Sequence, residues 1–119
     1  MRLAVVGSRD FPDPDLPVLA YIRALQEKLR PFVELEIVSG GARGVDQAAR
    51  DAADRLGLSI TEYKPDWARY GSSAGFQRNV IIVANADQVV AFWDGKSRGT
   101  KHTIELALGQ RIRLEVIFP

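Results

Sequence analysis

Leu35-Glu36-Ile37-Val38-Ser39-Gly40-Gly41-Ala42-Arg43-Gly44-Val45-Asp46-Gln47-Ala48-Ala49 carries an apolar run through a glycine-rich loop into a helical pattern. The run from Leu35 to Val38 reads as a strand, because a near-continuous apolar, β-branched series suits a strand covered on both faces. Val45, Ala48, Ala49, Ala52, Ala53 and Leu56 then keep the i, i+3, i+4 spacing of a helix that Gly57 stops. The apolar face of that helix is narrow and made of small side chains, as close packing on a sheet requires.

Four more runs of the same kind flank this unit: Leu3 to Val6, Ser59 to Tyr63, Gln88 to Phe92 and Leu114 to Phe118. Helical patterns separate them. Asp15 is placed to cap the first helix with Pro17 in its first turn, and Leu16, Leu19, Ile22, Leu25 and Leu29 face inward up to Pro31. The third helix is expected from about Ser73 to Ala84 with Phe76, Val80, Ile81 and Ala84 inward. The last is expected from about Thr100 to Leu108 with Ile104, Ala107 and Leu108 inward, ending at Gly109. Between Lys64 and Ser72 lies the longest irregular stretch, rich in aromatic and charged residues, the kind of loop that more often carries function than structure.

Strands alternating with helices predict an α/β fold. The expected architecture is a Rossmann-like three-layer sandwich, a parallel five-stranded sheet with helices on both faces. Right-handed crossovers give the order 3-2-1-4-5, with the topological switch point between strands one and four. Ligands of such sheets bind beyond the carboxyl ends of the strands near that point. The loops after strands one, two and four therefore converge there.

A length of 119 residues predicts one domain, residues 1–119, large enough to bury a core. The balance of 46% hydrophobic and 26% charged residues excludes a disordered or fibrous chain. Sixteen basic and 15 acidic side chains leave a net charge of +1, so no global field attracts nucleic acid and any phosphate recognition must be local. Cysteine is absent, which removes disulfides, thiolate metal sites and a thiol nucleophile. Gly7-Ser8-Arg9-Asp10 interrupts the first apolar run far short of a signal-peptide core, and no run approaches a membrane span, so the cytoplasm is the expected location.

In the loop Ser39-Gly40-Gly41-Ala42-Arg43-Gly44, ending in Val45-Asp46, glycines let the backbone approach a ligand while the following helix N-terminus offers free N–H groups to a phosphate. Arg43 can add a bidentate contact. The loop is neither a Walker A motif nor G-x-G-x-x-G. The alternative is a tight turn with Asp46 serving as a first-turn charge. After strand four, Trp93-Asp94-Gly95-Lys96-Ser97-Arg98-Gly99-Thr100 enters a second helix and can hold another anionic group, the alternative being an exposed turn. Gly7, Ser8 and Arg9 sit at the switch point, where Ser8 and Arg9 can meet a phosphate or ribose. Without the other loops Arg9 reads equally well as a salt-bridged surface residue.

The segment from Pro65 to Asn79 leaves two readings open. Trp67 or Tyr70 can stack on a nucleobase while Arg78 reaches back to the phosphates, or Trp67 can plug a hydrophobic gap beneath the loop. The single histidine, His102, reads as a solvated surface residue on the last helix. Asp46, Glu62, Asp66, Asp94 and Glu105 form no recognisable metal-ligand spacing, so neither metal nor cofactor is expected. If chemistry occurs, a lone carboxylate near the sugar is its actor, with Asp94 or Glu105 as candidates.

Gly7-Ser8-Arg9, Ser39 to Asp46, the segment from Tyr70-Gly71 to Arg78-Asn79, and Asp94-Gly95 to Gly99-Thr100 together resemble, in that order, the YspA-like branch of the SLOG superfamily. The resemblance covers nearly the whole chain, and the serine-glycine-glycine loop is also similar to that of DprA proteins. It implies a Rossmann-like domain that binds nucleotides or nucleotide-derived signals. Its LOG members are phosphoribohydrolases that use an arginine and a glutamate beside a P-G-G-x-G-T-x-x-E loop. Here Gly99-Thr100 matches the G-T pair and Arg78 the arginine, but Thr103 stands three residues after Thr100, and the nearest glutamate is Glu105. A two-residue offset turns a helical side chain by about 200°.

These readings converge on a sensor-type nucleotide-binding domain. Its expected ligand contacts are Gly7, Ser8, Arg9, Ser39, Gly40, Gly41, Ala42, Arg43, Gly44, Asp46, Trp67, Tyr70, Arg78, Asn79, Asp94, Gly95, Ser97, Arg98, Gly99 and Thr100. One alternative is a LOG-like nucleotide N-glycosidic hydrolase using Arg78, Asp94 and Glu105. The other is DprA-like binding of single-stranded nucleic acid, which the absence of a basic face disfavours. The expected partner is a nucleotide or nucleotide-derived small molecule, with no membrane involved, and the resemblance adds a homodimer as one mode of assembly.

Overall fold

Along β1 (Arg2–Gly7), Leu3 and Val5 point to one face of the sheet and Ala4 and Val6 to the other, and all four are buried. That two-sided burial sets the architecture, which the computed structural model describes for all 119 residues. After β1 come α1 (Asp15–Leu29), β2 (Glu36–Ser39), α2 (Val45–Leu56) and β3 (Ile60–Glu62). A short α3 (Trp67–Tyr70), a 3₁₀ turn over Gly71–Ser73, α4 (Ala74–Ala84), β4 (Gln88–Phe92), α5 (Arg98–Gly109) and β5 (Arg113–Ile117) complete the chain. The strands form one parallel sheet in the order β3-β2-β1-β4-β5.

Two cores result, one per face. On one, α1 and α2 pack together over Leu3, Val5, Ile37, Val90 and Phe92, with Val18, Ile22, Ala49 and Ala53 supplied by the helices. On the other, α4 and α5 pack together over Ala4, Val6, Val38, Val89 and Ala91, with Ile82 and Ala107 facing the sheet. Phe92 anchors the first core: it is fully buried and meets the edges of Phe11 and Tyr21 at centroid distances of 5.7 and 6.2 Å. No helix is long and apolar enough to cross a membrane.

The helices differ from the apolar periodicity in informative ways. Pro14, not Asp15, occupies the N-cap of α1, and no side chain caps it. Leu16 is 76% exposed while Val18 is buried, because six residues before Ile22 lies about 120° around the helix from the core-facing line. On α4 the inward face is turned by about one residue, or 100°, from the expected one. Asn79, Ile82 and Val83 are buried, whereas Phe76, Val80, Ile81 and Ala84 are exposed. On α5, Thr100, Thr103 and Ala107 are buried, Ile104 is half-buried and Leu108 is 63% exposed.

In both cases a polar side chain takes the inward place because its hydrogen bonds are met there. Asn79 bonds to α5, and Thr103 Oγ1 donates to the Gly99 carbonyl at 3.2 Å, one turn back in its own helix. The segment expected to be irregular contains α3, whose start is capped by Asp66 Oδ1 accepting from Arg69 N–H at 3.1 Å. Four helical residues are too few to show periodicity.

Replacing Phe92 by Ala removes the ring on which Phe11 and Tyr21 close and lowers stability by about 3–5 kcal/mol. Leu16→Ala, on the exposed side of α1, stays within about 0.5 kcal/mol. Urea unfolding of the two variants checks the contrast.

Candidate ligand-binding site

At the carboxyl edge of the sheet the loops leave a cavity of about 900 Å³. Gly7, Ser8 and Arg9 line it from β1, and Gly40, Gly41, Ala42 and Asp46 from β2 and the start of α2. Lys64, Pro65 and Trp67 border it beyond β3, while Gly75, Phe76, Arg78 and Asn79 roof it from α4. Asp94, Lys96, Ser97, Gly99 and Thr100 close it from β4 and α5.

Backbone closeness makes the β2 loop possible. A Cβ on Gly40 would collide with Arg78 Nη1 and lie 2.9 Å from Asp46 Oδ2, so the glycine is what leaves those two side chains their present approach to the loop. Gly44, at φ +77°, lies against the β1 loop so tightly that a Cβ would stand 2.6 Å from the Arg9 carbonyl oxygen. The first turn of α2 is thus pinned to the loop after β1.

Arg78 crosses from the α4 layer to this loop. Its Nη1 donates to the Gly40 carbonyl at 2.8 Å and its Nε to Asn79 Oδ1 at 3.0 Å. Because that oxygen accepts, the Asn79 amide nitrogen is the donor to the Gly99 carbonyl at 3.2 Å and to His102 Nδ1 at 3.3 Å. His102 is therefore not a free surface residue. It is half-buried, accepts through Nδ1 and packs on the Phe76 ring at 4.5 Å. Burial draws the Arg78 pKa down, the charge of Asp46 raises it, and Arg9 presses it down again.

Asp46 is 6% exposed. Its Oδ2 accepts the Ala42 N–H at 3.1 Å. The buried Ser39 hydroxyl faces the carboxylate without completing a hydrogen bond of good geometry. Burial pushes the Asp46 pKa above the usual carboxylate value, and the Ala42 N–H and the charge of Arg78 only partly offset it.

The β4 loop is built differently. Asp94 Oδ1 accepts from Lys96 N–H and Ser97 N–H, both at 2.8 Å, and these bonds, that of Ser97 first, hold its carboxyl below the usual range. Asp94 N–H in turn donates to Ser8 Oγ at 3.2 Å, joining this loop to the one after β1. Ser97 caps α5: its Oγ accepts from Thr100 N–H at 3.4 Å and from Thr100 Oγ1 at 3.1 Å. No acidic residue occupies the first turn of α5.

Several residues expected at the ligand do not line the cavity. Ser39 is buried beneath the loop, Gly44 is used in packing, and Arg43 and Arg98 are exposed to solvent. Tyr70 lies outside with the Arg69 guanidinium over its ring at 5.1 Å, and Gly95 forms the turn that Asp94 organises. Glu105 is exposed on α5, whereas Thr103, in the position three after Thr100, faces the cavity. Arg78, Asp94 and Glu105 are thus not assembled around one reacting point. Lys64, Pro65, Phe76 and Thr103 were not foreseen as lining residues. Lys64 and Pro65 follow β3 closely, so the rule that ligands meet the carboxyl ends of strands pointed to them.

Sheet order, glycine loops and cavity together define a Rossmann-like domain with a site at the carboxyl edge of its sheet. The chain belongs to the YspA, cpYpsA-related SLOG family (YAcAr), whose model matches residues 1–70. No curated protein matches it. Among solved structures it is similar to DNA processing protein A (DprA) from Streptococcus pneumoniae, with a TM-score of 0.78 and 23% identity over 97% of this chain and 49% of that one. DprA from Helicobacter pylori, whose structure describes a single-stranded DNA binding mode, matches with a TM-score of 0.70 and 23% identity over 98% of this chain and 64% of that one. TM1055, a structural genomics target, matches with a TM-score of 0.73 and 20% identity over 95% of this chain and 71% of that one. The chain spans about half the length of the S. pneumoniae protein. At these identities the likeness is one of fold.

Gly44→Ala forces a side chain into a left-handed conformation and onto the Arg9 backbone, and strain alone lowers stability by about 1–3 kcal/mol. Gly40→Ala meets the movable end of Arg78 and loses less. Thermal unfolding gives the order. Because the folded-state pKa of Asp46 is raised, the folded chain binds its proton more tightly than the unfolded chain does. Stability from this group is present below the usual carboxylate pKa and is lost as pH rises through the folded value. Asp46→Asn, which cannot ionise, is therefore expected to match or exceed the wild-type Tm at pH 7, with the difference shrinking toward acid.

Proposed function

We propose that the chain acts as a single domain holding a nucleotide or a nucleotide-derived phosphate, in a sensing or signalling role. The observation that carries this reading is that the loops after β1, β2 and β4 open on one cavity of about 900 Å³, with Arg9, Lys64, Arg78 and Lys96 among its lining. That volume is in the range of small-ligand sites. The start of α5 supports an anion best, since a helix of 12 residues presents its N-terminus there with no acidic side chain in the first turn. At the opposite end Trp67, 56% exposed, offers a face on which a base can stack.

Binding is favoured over hydrolysis. Glu105 lies outside the cavity, and Asp94, which lines it, has Oδ1 committed to its own turn.

Isothermal calorimetry with AMP, ADP, cyclic AMP, ADP-ribose and adenosine tests the reading. A phosphate seated by charge-assisted bonds worth about 1.5–3 kcal/mol makes AMP bind roughly 10–100-fold tighter than adenosine. Gly41→Val, which introduces a branched side chain into the lining, weakens binding. Absence of heat with every compound would sink the proposal, and salt-steep retention of oligonucleotides would transfer the site to nucleic acid.

A further inference from the structure

Asp46 is the one group in the cavity whose placement phosphate binding leaves unexplained. Its carboxylate is 6% exposed, yet beyond the nearby Ser39 hydroxyl and the charge of Arg78 it receives one hydrogen bond of good geometry, from Ala42 N–H to Oδ2. The ion pairs of the chain lie elsewhere, at Arg2–Glu36 and Arg50–Glu62. A carboxylate has about four acceptor positions, and a desolvated one left this sparsely bonded is unfavourable unless a donor arrives from the cavity it lines.

That donor cannot sensibly be a phosphate. The backbone N–H that would meet one at Ala42 already donates to Asp46, and the carboxylate sits in the first turn of α2, where it uses the helix dipole itself. A second anion there would face a like charge that Arg78 only partly offsets, in a desolvated site. Neutral hydroxyls carry the required protons without that repulsion, and two adjacent ones can bond to the two oxygens of one carboxylate.

We infer that the β2–α2 end of the cavity is a hydroxyl-accepting subsite in which Asp46 takes the ribose 2′- and 3′-hydroxyls of the ligand, while the phosphate lies at the α5 end. This rests on the nucleotide reading above and sharpens it. The sheet order supports the arrangement, because β1 alone separates β4 from β2, and β3 lies beyond β2. Phosphate at Ser97 to Thr100, sugar over Asp46 and base toward Trp67 then follow the strand ends in line. The free lone pairs of Asp46 make the protein select a ribonucleotide over its deoxy counterpart.

The test compares AMP, 2′-deoxy-AMP, 3′-deoxy-AMP and 2′,3′-dideoxy-AMP by calorimetry on the full chain and on Asp46→Asn, with circular dichroism confirming the fold. Wild type is expected to bind AMP at least about tenfold tighter than the dideoxy compound, since a buried acceptor left without its donor discriminates strongly. In Asp46→Asn the ratio falls to about twofold or less and AMP itself binds more weakly. Equal wild-type affinities for AMP and the dideoxy compound overturn the inference and leave the nucleotide reading standing. Tighter binding of AMP by Asp46→Asn also overturns it, because removing a negative charge would then be relieving a phosphate over the β2 loop. If none of the four nucleotides binds the wild type, both readings fall. The wild-type comparison needs no substitution and stands even if the variant misfolds.

Discussion

Because all five strands run parallel, every loop that follows a strand emerges at the same edge of the sheet. Parallel pairing requires each return to be made by a helix over one face, which places helix N-termini and strand carboxyl ends together. The cavity follows from that geometry. Where the return helices change sides, between β1 and β4, the loops diverge enough to leave space between the layers. The two buried faces of β1 hold both layers in position, with Phe92 and Ile22 on one side and Ile82 and Ala107 on the other.

The layers are also tied across the cavity by polar contacts. Arg78 reaches from α4 to the Gly40 carbonyl, and Asn79 reaches from the same helix to Gly99 and His102 on α5. The first depends on a missing side chain at Gly40, where a Cβ would displace the guanidinium. A helix-to-loop clamp of this kind restricts the shape of the opening before any ligand arrives, so less ordering is needed on binding. It also explains why Arg78 is not simply a free cation awaiting a phosphate: two of its donor groups are already engaged with the protein.

The two glycine-rich loops look alike in sequence and differ in chemistry. At the start of α2 a buried carboxylate consumes an N–H and the helix dipole, whereas at the start of α5 the cap is a neutral serine and the first turn carries no acid. A residue read as a first-turn charge thus puts a buried carboxylate inside the α2 end, whereas at the α5 end the Asp94 carboxylate precedes the helix and is taken up by its own turn. Loop composition could not reveal this, because burial turns Asp46 from a solvated ion into a group seeking donors.

By itself the sequence determined the sheet, its order and the side of it on which the glycine loops gather, because uninterrupted apolar strands and alternating helices admit few arrangements. It also located Gly7, Gly40 and Thr100 at that edge, since each lies just beyond a strand or at the start of a helix. Only the tertiary structure decided which face α4 and α5 turn inward, for Asn79 and Thr103 are buried by hydrogen bonds that apolar periodicity does not register. It alone decided that Glu105 looks away from the cavity while Lys64 and Thr103 border it. Periodicity reports how greasy each side of a helix is, whereas the direction of a polar side chain depends on partners distant in the chain, brought close only when the layers pack.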